Sequence, residues 1–467
     1  MPPHFVMDYR DRTLQAKFCH APRRGAVEVL DRALVSVDSA GRVASVIPAD
    51  SPGYNAARNQ ALRSGSLTGL PPDRYVLPGL VDLHIHAPQY PQLGAALDVP
   101  LEVWLHKYTF PLESRYADIE FARRAYGQLL DDLPANGTTT AVMFATIHQD
   151  ATRLLADLAM GKGIRAFIGK VAMDDPSSCP DDYRDESPEQ AVAGTRALID
   201  YIRTHPQNGE GRVQPVITPR FIPSCSDATL LGLGALARET GCHVQTHCSE
   251  SDWEHGYVLA RHGCSDTESL DRFGLLTRRT VLAHSNLISP EDMDLIRSRG
   301  AGVAHCPLSN AYFSNAVFPL RAALEKGLRV GLGTDISGGP SASIFDTMRM
   351  GVAVSRMLED GVDPAKPAAE RGRAASRVNW REAFHLATAG GADCLDLDTG
   401  RFAPGQHFDT VVVDTAAAQG TIRLIDPDLP PEQVLARIIY TASKPNIAET
   451  IVGGRTVHLA SPNCDGE

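Results

Sequence analysis

Pro78-Gly79-Leu80-Val81-Asp82-Leu83-His84-Ile85-His86 opens on a turn pair and runs into a short apolar stretch that closes on two histidines. Apolar runs of this kind recur at 80–85, 138–145, 164–171, 213–218, 243–246, 280–283, 302–304 and 329–333. Between them lie amphipathic, helix-period stretches such as 121–133, 151–162, 191–204, 228–240 and 291–298. Repeated strand-then-helix alternation implies a parallel sheet. Eight such units over about 260 residues fit an α/β fold of the (β/α)8 TIM-like barrel type. The alternative is an open doubly wound sheet. No G-x-G-x-x-G follows the first run, which disfavours its dinucleotide-binding version.

Outward from this core, both chain ends read as β-rich. Residues 27–30, 33–37 and 41–47 are short β-branched runs bounded by turn residues. Residues 51–73 are rich in Gly, Pro, Ser and Asn and read as a connector. Residues 361–378 are polar and read as a mobile loop, and 380–389 as helical. Strand character returns at 410–413, 421–425, 450–452 and 456–458. The expected organisation is therefore residues 1–75 and 396–467 joined in a small β-sandwich, beside a barrel over 76–395.

Composition sets the bounds. The 467 residues carry 45 Lys plus Arg against 56 Asp plus Glu, a net charge of −11. A general nucleic-acid binder needs a basic face, so no nucleic-acid partner is expected. No stretch approaches the roughly 18 apolar residues of a membrane span. Met1 to Arg10 mixes Pro, His, Asp and Arg where an export signal needs an apolar run. Nine cysteines form no C-x-x-C pair, which reads as reduced thiols and a cytoplasmic protein.

Residues two apart on a strand face the same side, so His84 and His86 point together. Two imidazoles at one strand end suit a borderline-soft cation such as Zn2+. Alone, an H-x-H pair is as readily ordinary packing. However, His247 ends the fifth run, His284 the sixth, and Asp335 follows the eighth. In a parallel barrel these ends share the C-terminal face, where active sites sit. A buried aspartate there needs a partner, and a metal is a good one.

This constellation resembles the amidohydrolase superfamily. The resemblance implies one Zn2+ per chain held by His84, His86, His247 and Asp335, with His284 holding the attacking water. Some members bridge two metals through a carboxylated lysine from strand four. Lys170 falls on strand three, and strand four ends in Arg220 instead, so one metal is expected. The run His84-Ile85-His86-Ala87-Pro88-Gln89-Tyr90 is similar to the guanine deaminase form of the motif. Trp104 to Glu113, Gly169 to Asp174, Thr218-Pro219-Arg220-Phe221, Thr246 to Glu250, Ala304 to Asn310 and Gly331 to Gly339 extend the similarity. His284-Ser285-Asn286 departs from it, since a glycine-containing turn is expected after the histidine.

The function so implied is zinc-dependent hydrolytic deamination of guanine to xanthine and ammonia. Asp335 would take a proton from the attacking water. Glu250, three residues beyond a ligand, would shuttle protons to the ring and the leaving amine. Gln89 and Arg220, with a main-chain group of Phe221, would bind the guanine edge. Trp104 and Phe318 have the shape to pack on a flat ring, although both read equally as core. His305 ends the seventh run and reads as a neighbour of the ligands. The acidic stretch 174–189 reads as a solvated loop. A homodimer is expected, because members of the family often pair. The rivals are a barrel hydrolase for another azaheterocycle (a triazine, a pterin or a different purine) and a catalytically silent assembly protein. The small zinc deaminase fold is excluded, because there is no P-C-x-x-C.

Overall fold

The computed structural model describes residues 7–314 and 316–460. The first six residues of the expected signal-free terminus, and Cys464, lie outside them. Five strands precede the barrel: β1 (Thr13–Arg23), β2 (Ala26–Val37), β3 (Val43–Ile47), β4 (Leu67–Gly69) and β5 (Arg74–Pro78). The barrel strands are β6 (Leu80–His86), β7 (Thr138–Phe144), β8 (Arg165–Gly169) with its short continuation β9 (Val171–Ala172), β10 (Val213–Pro219), β11 (His243–Cys248), β12 (Thr280–His284), β13 (Gly302–His305) and β14 (Arg329–Leu332). Three more follow: β15 (Thr410–Asp414), β16 (Ile447–Val452) and β17 (Arg455–Leu459).

The barrel strands pair in parallel, in the order β14-β13-β12-β11-β10-β8-β7-β6. Every residue of β6, β7, β8, β12 and β13 is buried. Strands covered on both faces need such continuous apolar runs, which is why the sequence shows runs rather than alternation here. Helices such as Ile119–Ala135, Gln149–Lys162 and Pro188–Thr204 fall between consecutive strands, as their periodicity indicates. The first and last strands meet at a seam held by main-chain bonds. Asp335 N donates to His84 O at 2.8 Å and His86 N to Ile336 O at 2.9 Å. Asp82 reinforces it from within the barrel wall, accepting from Thr334 N at 3.0 Å and Thr334 Oγ1 at 2.5 Å.

Strands from both chain ends form one eight-stranded sheet, β17-β16-β15-β5-β1-β2-β3, with β4 beside β1. Leu14, Phe18, Val35, Val43, Val412 and Ile451, from strands spread across that order, pack into one core. The sheet must therefore curl on itself. Its closing edge brings two turns into contact: a Cβ on Gly41 would stand 2.1 Å from the Gly453 carbonyl oxygen, so the approach requires glycine. The sheet is tied to the N-terminal end of the barrel. Asp409, just before β15, pairs with Arg165 at the start of β8 at 3.0 Å. Burial alone would raise the Asp409 carboxyl, but Arg165 outweighs it and holds the group below its ordinary value.

Three local expectations are corrected. The connector over 51–73 contains the helix Tyr54–Arg63 and β4. Residues 421–425 are not a strand, and the helix Pro431–Thr441 follows where none was expected. Residues 27–30 and 33–37 are one strand, interrupted only by Arg32 at φ 48°. The eight described cysteines are all buried and free. Among the described residues no helix is long and apolar enough to cross a membrane.

Candidate active site

His84 and His86 close β6, His247 stands next to last in β11, His284 ends β12, and Asp335 follows β14. All five side chains are buried on one face of the barrel. Asp335 Oδ1 lies 3.2 Å from His84 Nε2 and 3.6 Å from His86 Nε2. His86 Nε2 and His247 Nε2 face each other at 3.0 Å. His284 Nε2 stands 3.8 Å from Asp335 Oδ2 and 3.6 Å from Glu250 Oε1. The sequence reading thus brings together every residue it named for this cluster.

The local chain explains the convergence. Asp82 accepts the His84 N–H at 3.2 Å as well as the two Thr334 donors, and so ties the H-x-H strand to the segment bearing Asp335. Burial pushes the Asp82 carboxyl up to about 7 against those hydrogen bonds. His247 Nδ1 faces the Arg220 carbonyl at 2.5 Å, which directs its Nε2 inward. His284 and Ser285 both take left-handed conformations, φ 68° and 55°. The glycine expected after His284 would relieve that turn; serine occupies it instead, with its hydroxyl buried and without a hydrogen-bond partner among the described residues.

The donor set fits a metal. Burial lowers His84, His86 and His247, keeping the imidazoles neutral, the form that offers a lone pair. Burial works to raise Asp335, but the facing His84, with His284 and His86, outweighs it and sets the carboxyl below its ordinary value. Among the described residues the Nε2 atoms of His84 and His284 are buried with no well-formed hydrogen bond, each facing an Asp335 carboxylate oxygen. Buried polar atoms are rarely left so, and a shared cation would satisfy the ligand among them. Ligand atoms of His84, His86 and His247, and of His84, His284 and Asp335, lie within 4.8 Å of one another. Imidazoles with one carboxylate suit Zn2+.

Over this cluster opens a pocket lined by Gln89, Trp104, Arg220, Phe221, Glu250, Phe313 and Gly338. Gln89 sits on the short helix Ala87–Gln92 that continues β6, and Arg220 follows β10. Sequence reading missed the residue that joins them. Glu113 accepts from Gln89 Nε2 at 2.8 Å and from Arg220 Nη1 at 2.6 Å and Nη2 at 3.2 Å. Gln89 Oε1 in turn accepts from Ser337 N at 3.2 Å. Both ends of the Gln89 amide are thereby assigned. The Arg220 guanidinium also stacks over the Phe110 ring, 4.9 Å from its centroid. Glu250 is buried rather than solvated, its main-chain N–H held by Glu254 at 2.7 Å. Burial raises its carboxyl above the ordinary range.

Other assignments change. Phe318 lies in the core against His305, with ring centroids 5.2 Å apart, and does not line the pocket; Phe313 takes that place beside Trp104. Within the acidic stretch, Asp185 is buried against Lys170 at 2.6 Å, and Asp174 accepts from Ser226 N at 2.8 Å. These two brace loops, while Asp181 and Asp182 are exposed. With its amine on Asp185 and the Val171 carbonyl, Lys170 is occupied as a structural residue.

Comparison with known proteins agrees with this geometry. Residues 75–457 match the Amidohydrolase family. The chain is 36% identical to a probable guanine deaminase of Schizosaccharomyces pombe over 448 residues, 94% of this chain and 82% of that protein. It is 35% identical to the guanine deaminase of Homo sapiens over 447 residues, 94% and 95% of the two chains. A crystal structure of guanine deaminase from C. acetobutylicum with bound guanine in the active site superposes with TM-score 0.85 at 30% identity, covering 96% of this chain and 100% of that one.

Proposed function

Because the chain belongs to the amidohydrolase family, we infer that it is an enzyme that hydrolytically deaminates guanine to xanthine and ammonia. One observation carries this: the pocket bearing Gln89, Arg220 and Phe221 opens directly onto the His and Asp cluster. A bare metal cluster would serve many rings, but this polar wall selects one edge.

Members of this family depend on a metal, and His84, His86, His247 and Asp335 are the residues proposed to hold it, as one zinc ion per chain. When bound, such an ion supplies Lewis acidity that draws the pKa of water down towards ~7. Asp335, ionised in its nest of imidazoles, accepts the proton that the attacking water gives up. His284 Nε2 aims that water's oxygen at C2 of guanine. Glu250, raised by burial and so protonated at higher pH than a solvated carboxyl, gives a proton to ring N3 as the new C–O bond forms. It then relays the proton from Asp335 to the amino nitrogen. The C2–N bond breaks with its electron pair on nitrogen, ammonia leaves, and the proton of the new hydroxyl passes to Glu250, which leaves a carbonyl at C2 and restores the acid. Water and guanine are thereby converted to xanthine and ammonia in balance.

Arg220 donates to the ring oxygen, with its orientation fixed by Glu113. The Phe221 carbonyl already accepts from Ser224 N and Ser224 Oγ, so the main-chain contact expected from Phe221 falls to its N–H. The same reading includes a homodimer resident in the cytoplasm, consistent with the buried free thiols. Sedimentation of the metal-loaded protein tests the first, and fractionation of the source cell the second.

The deciding experiment is ammonia release from guanine by the purified protein, with metal counted on the same sample. Guanine turnover with about one zinc per chain is the expected result. Turnover of adenine or a triazine alone would retain the site and overturn the roles of Gln89 and Arg220.

A further inference from the structure

We infer that Asn286 and Asn310 set the ring tautomer of His284, reading it from the main-chain carbonyl of Glu250. Neither residue figured as a site candidate. Asn286 stands two positions after His284, and Asn310 five positions after His305.

The relay has one direction. A main-chain carbonyl oxygen only accepts hydrogen bonds. Asn286 Nδ2 donates to the Glu250 oxygen at 2.9 Å, which fixes the end of the amide that points there. Asn286 Oδ1 therefore faces away, and it accepts from Asn310 Nδ2 at 2.7 Å. That fixes Asn310 in turn, so its Oδ1 is presented to His284 Nδ1 at 2.9 Å. An amide oxygen at that distance requires a hydrogen on Nδ1. The neutral ring then carries its lone pair on Nε2. This is the atom that points into the site, 3.6 Å from Glu250 Oε1 and 3.8 Å from Asp335 Oδ2. It has no hydrogen-bond partner among the described residues.

The opposite setting is closed off. Turning both amides would place Asn286 Oδ1 against the Glu250 oxygen, two acceptors in a buried space. Leaving such buried groups unsatisfied is strongly unfavourable. All three side chains are buried, so water does not relieve that cost. The relay starts on the loop after β11, passes the segments after β12 and β13, and returns to the ring at the end of β12. It thus gives the backbone of Glu250 and the reacting end of His284 a common frame. Both asparagines are positioning residues that touch no substrate.

The inference rests on His284 as the group that aims the water, and its test separates the two ideas. Histidine-ring 15N NMR of the zinc-loaded protein, with the His284 signals assigned by their loss in His284→Gln, reports which nitrogen carries the hydrogen. The expected result is Nδ1–H in the parent. In Asn286→Leu the Asn310 amide is free to turn; kcat on guanine falls about tenfold or more while KM moves less than about twofold. Asn286→Asp still accepts from Asn310 Nδ2 but sets a carboxylate oxygen against the Glu250 carbonyl, so it keeps Nδ1–H while recovering only part of that loss. A parent ring with its hydrogen on Nε2 overturns the relay. So does an Asn286→Leu variant that loses activity while its ring keeps Nδ1–H, because the asparagines would then only brace the loop. Should Asn286→Leu not fold, the parent and Asn286→Asp spectra decide. A parent with Nδ1–H and no guanine turnover would support the relay and overturn the substrate instead.

Discussion

Glu113 and Arg220 form a buried ion pair, with Nη1 to Oε2 at 2.6 Å and both side chains nearly inaccessible to solvent. The same carboxylate holds Gln89. One acidic group therefore aims two groups of the pocket wall. Truncating one partner of a buried pair strands the other charge, at a cost of roughly 3–5 kcal/mol. Glu113→Ala is expected to lose stability on that scale in denaturant titration and to raise KM for guanine more than it lowers kcat. Unchanged KM would show that Gln89 and Arg220 need no such aiming.

Glu250 and Asp335 are expected to fail differently. Glu250→Gln removes an exchangeable proton but touches no ligand in the proposed metal set. Its turnover should fall by roughly 10²–10⁴ with zinc content intact. Asp335→Ala removes a member of the proposed set, so metal and activity should fall together. Metal analysis beside steady-state rates distinguishes the two; full activity in the second variant would sink the metal assignment.

Ser285 holds φ at 55° with its hydroxyl buried and unpaired among the described residues. A left-handed conformation costs an L-residue roughly 1–2 kcal/mol, and glycine removes that cost while giving back some chain entropy. Ser285→Gly should raise thermal stability by about 1 kcal/mol with metal content unchanged. A lower melting temperature would mean that the hydroxyl has a partner.

His255 donates to Asp266 at 3.1 Å, and Asp266 also takes the Ser249 N–H at the root of the Glu250 loop. The Asp266 hydrogen bond raises the imidazole above its ordinary value, outweighing burial. A raised folded value means the stabilisation is complete below about pH 6.5 and is lost as pH rises through the folded value. The melting temperature difference between parent and His255→Ala should therefore be larger near pH 6 than near pH 9, on the order of a full protonation apart. A difference independent of pH would assign the contact to packing.

The eight barrel strands and the five converging residues were legible because burial on both faces writes continuous runs, and because catalysis places its groups at strand ends. What escaped has a physical reason in each case. Glu113 closes a stretch of family similarity, but it lies 107 positions from Arg220, and nothing in that stretch says which partner the acid finds through the fold. Asn310 was visible within a motif, but its partner His284 comes from another strand. Phe318 and Phe313 differ only in the face of the chain they occupy. Residues 421–425 have strand composition without a neighbouring strand to pair with. Tyr54–Arg63 begins at a Gly-Pro-rich stretch that masks a helix whose tyrosine bonds the Arg32 carbonyl.

The seam at Asp82 and Thr334 also dictates when the site can exist. Those residues stand 252 positions apart, one on the first barrel strand and the other just beyond the last. At about 5–20 residues per second, a ribosome needs about 13–50 s to travel from one to the other. Until then His84 and His86 wait on an unclosed edge, without the aspartate proposed to complete their set. A nascent or truncated chain that stops short of Thr334 thus carries histidines but no finished cluster, and with the proposed ligand set, commitment to metal falls late in the birth of the molecule.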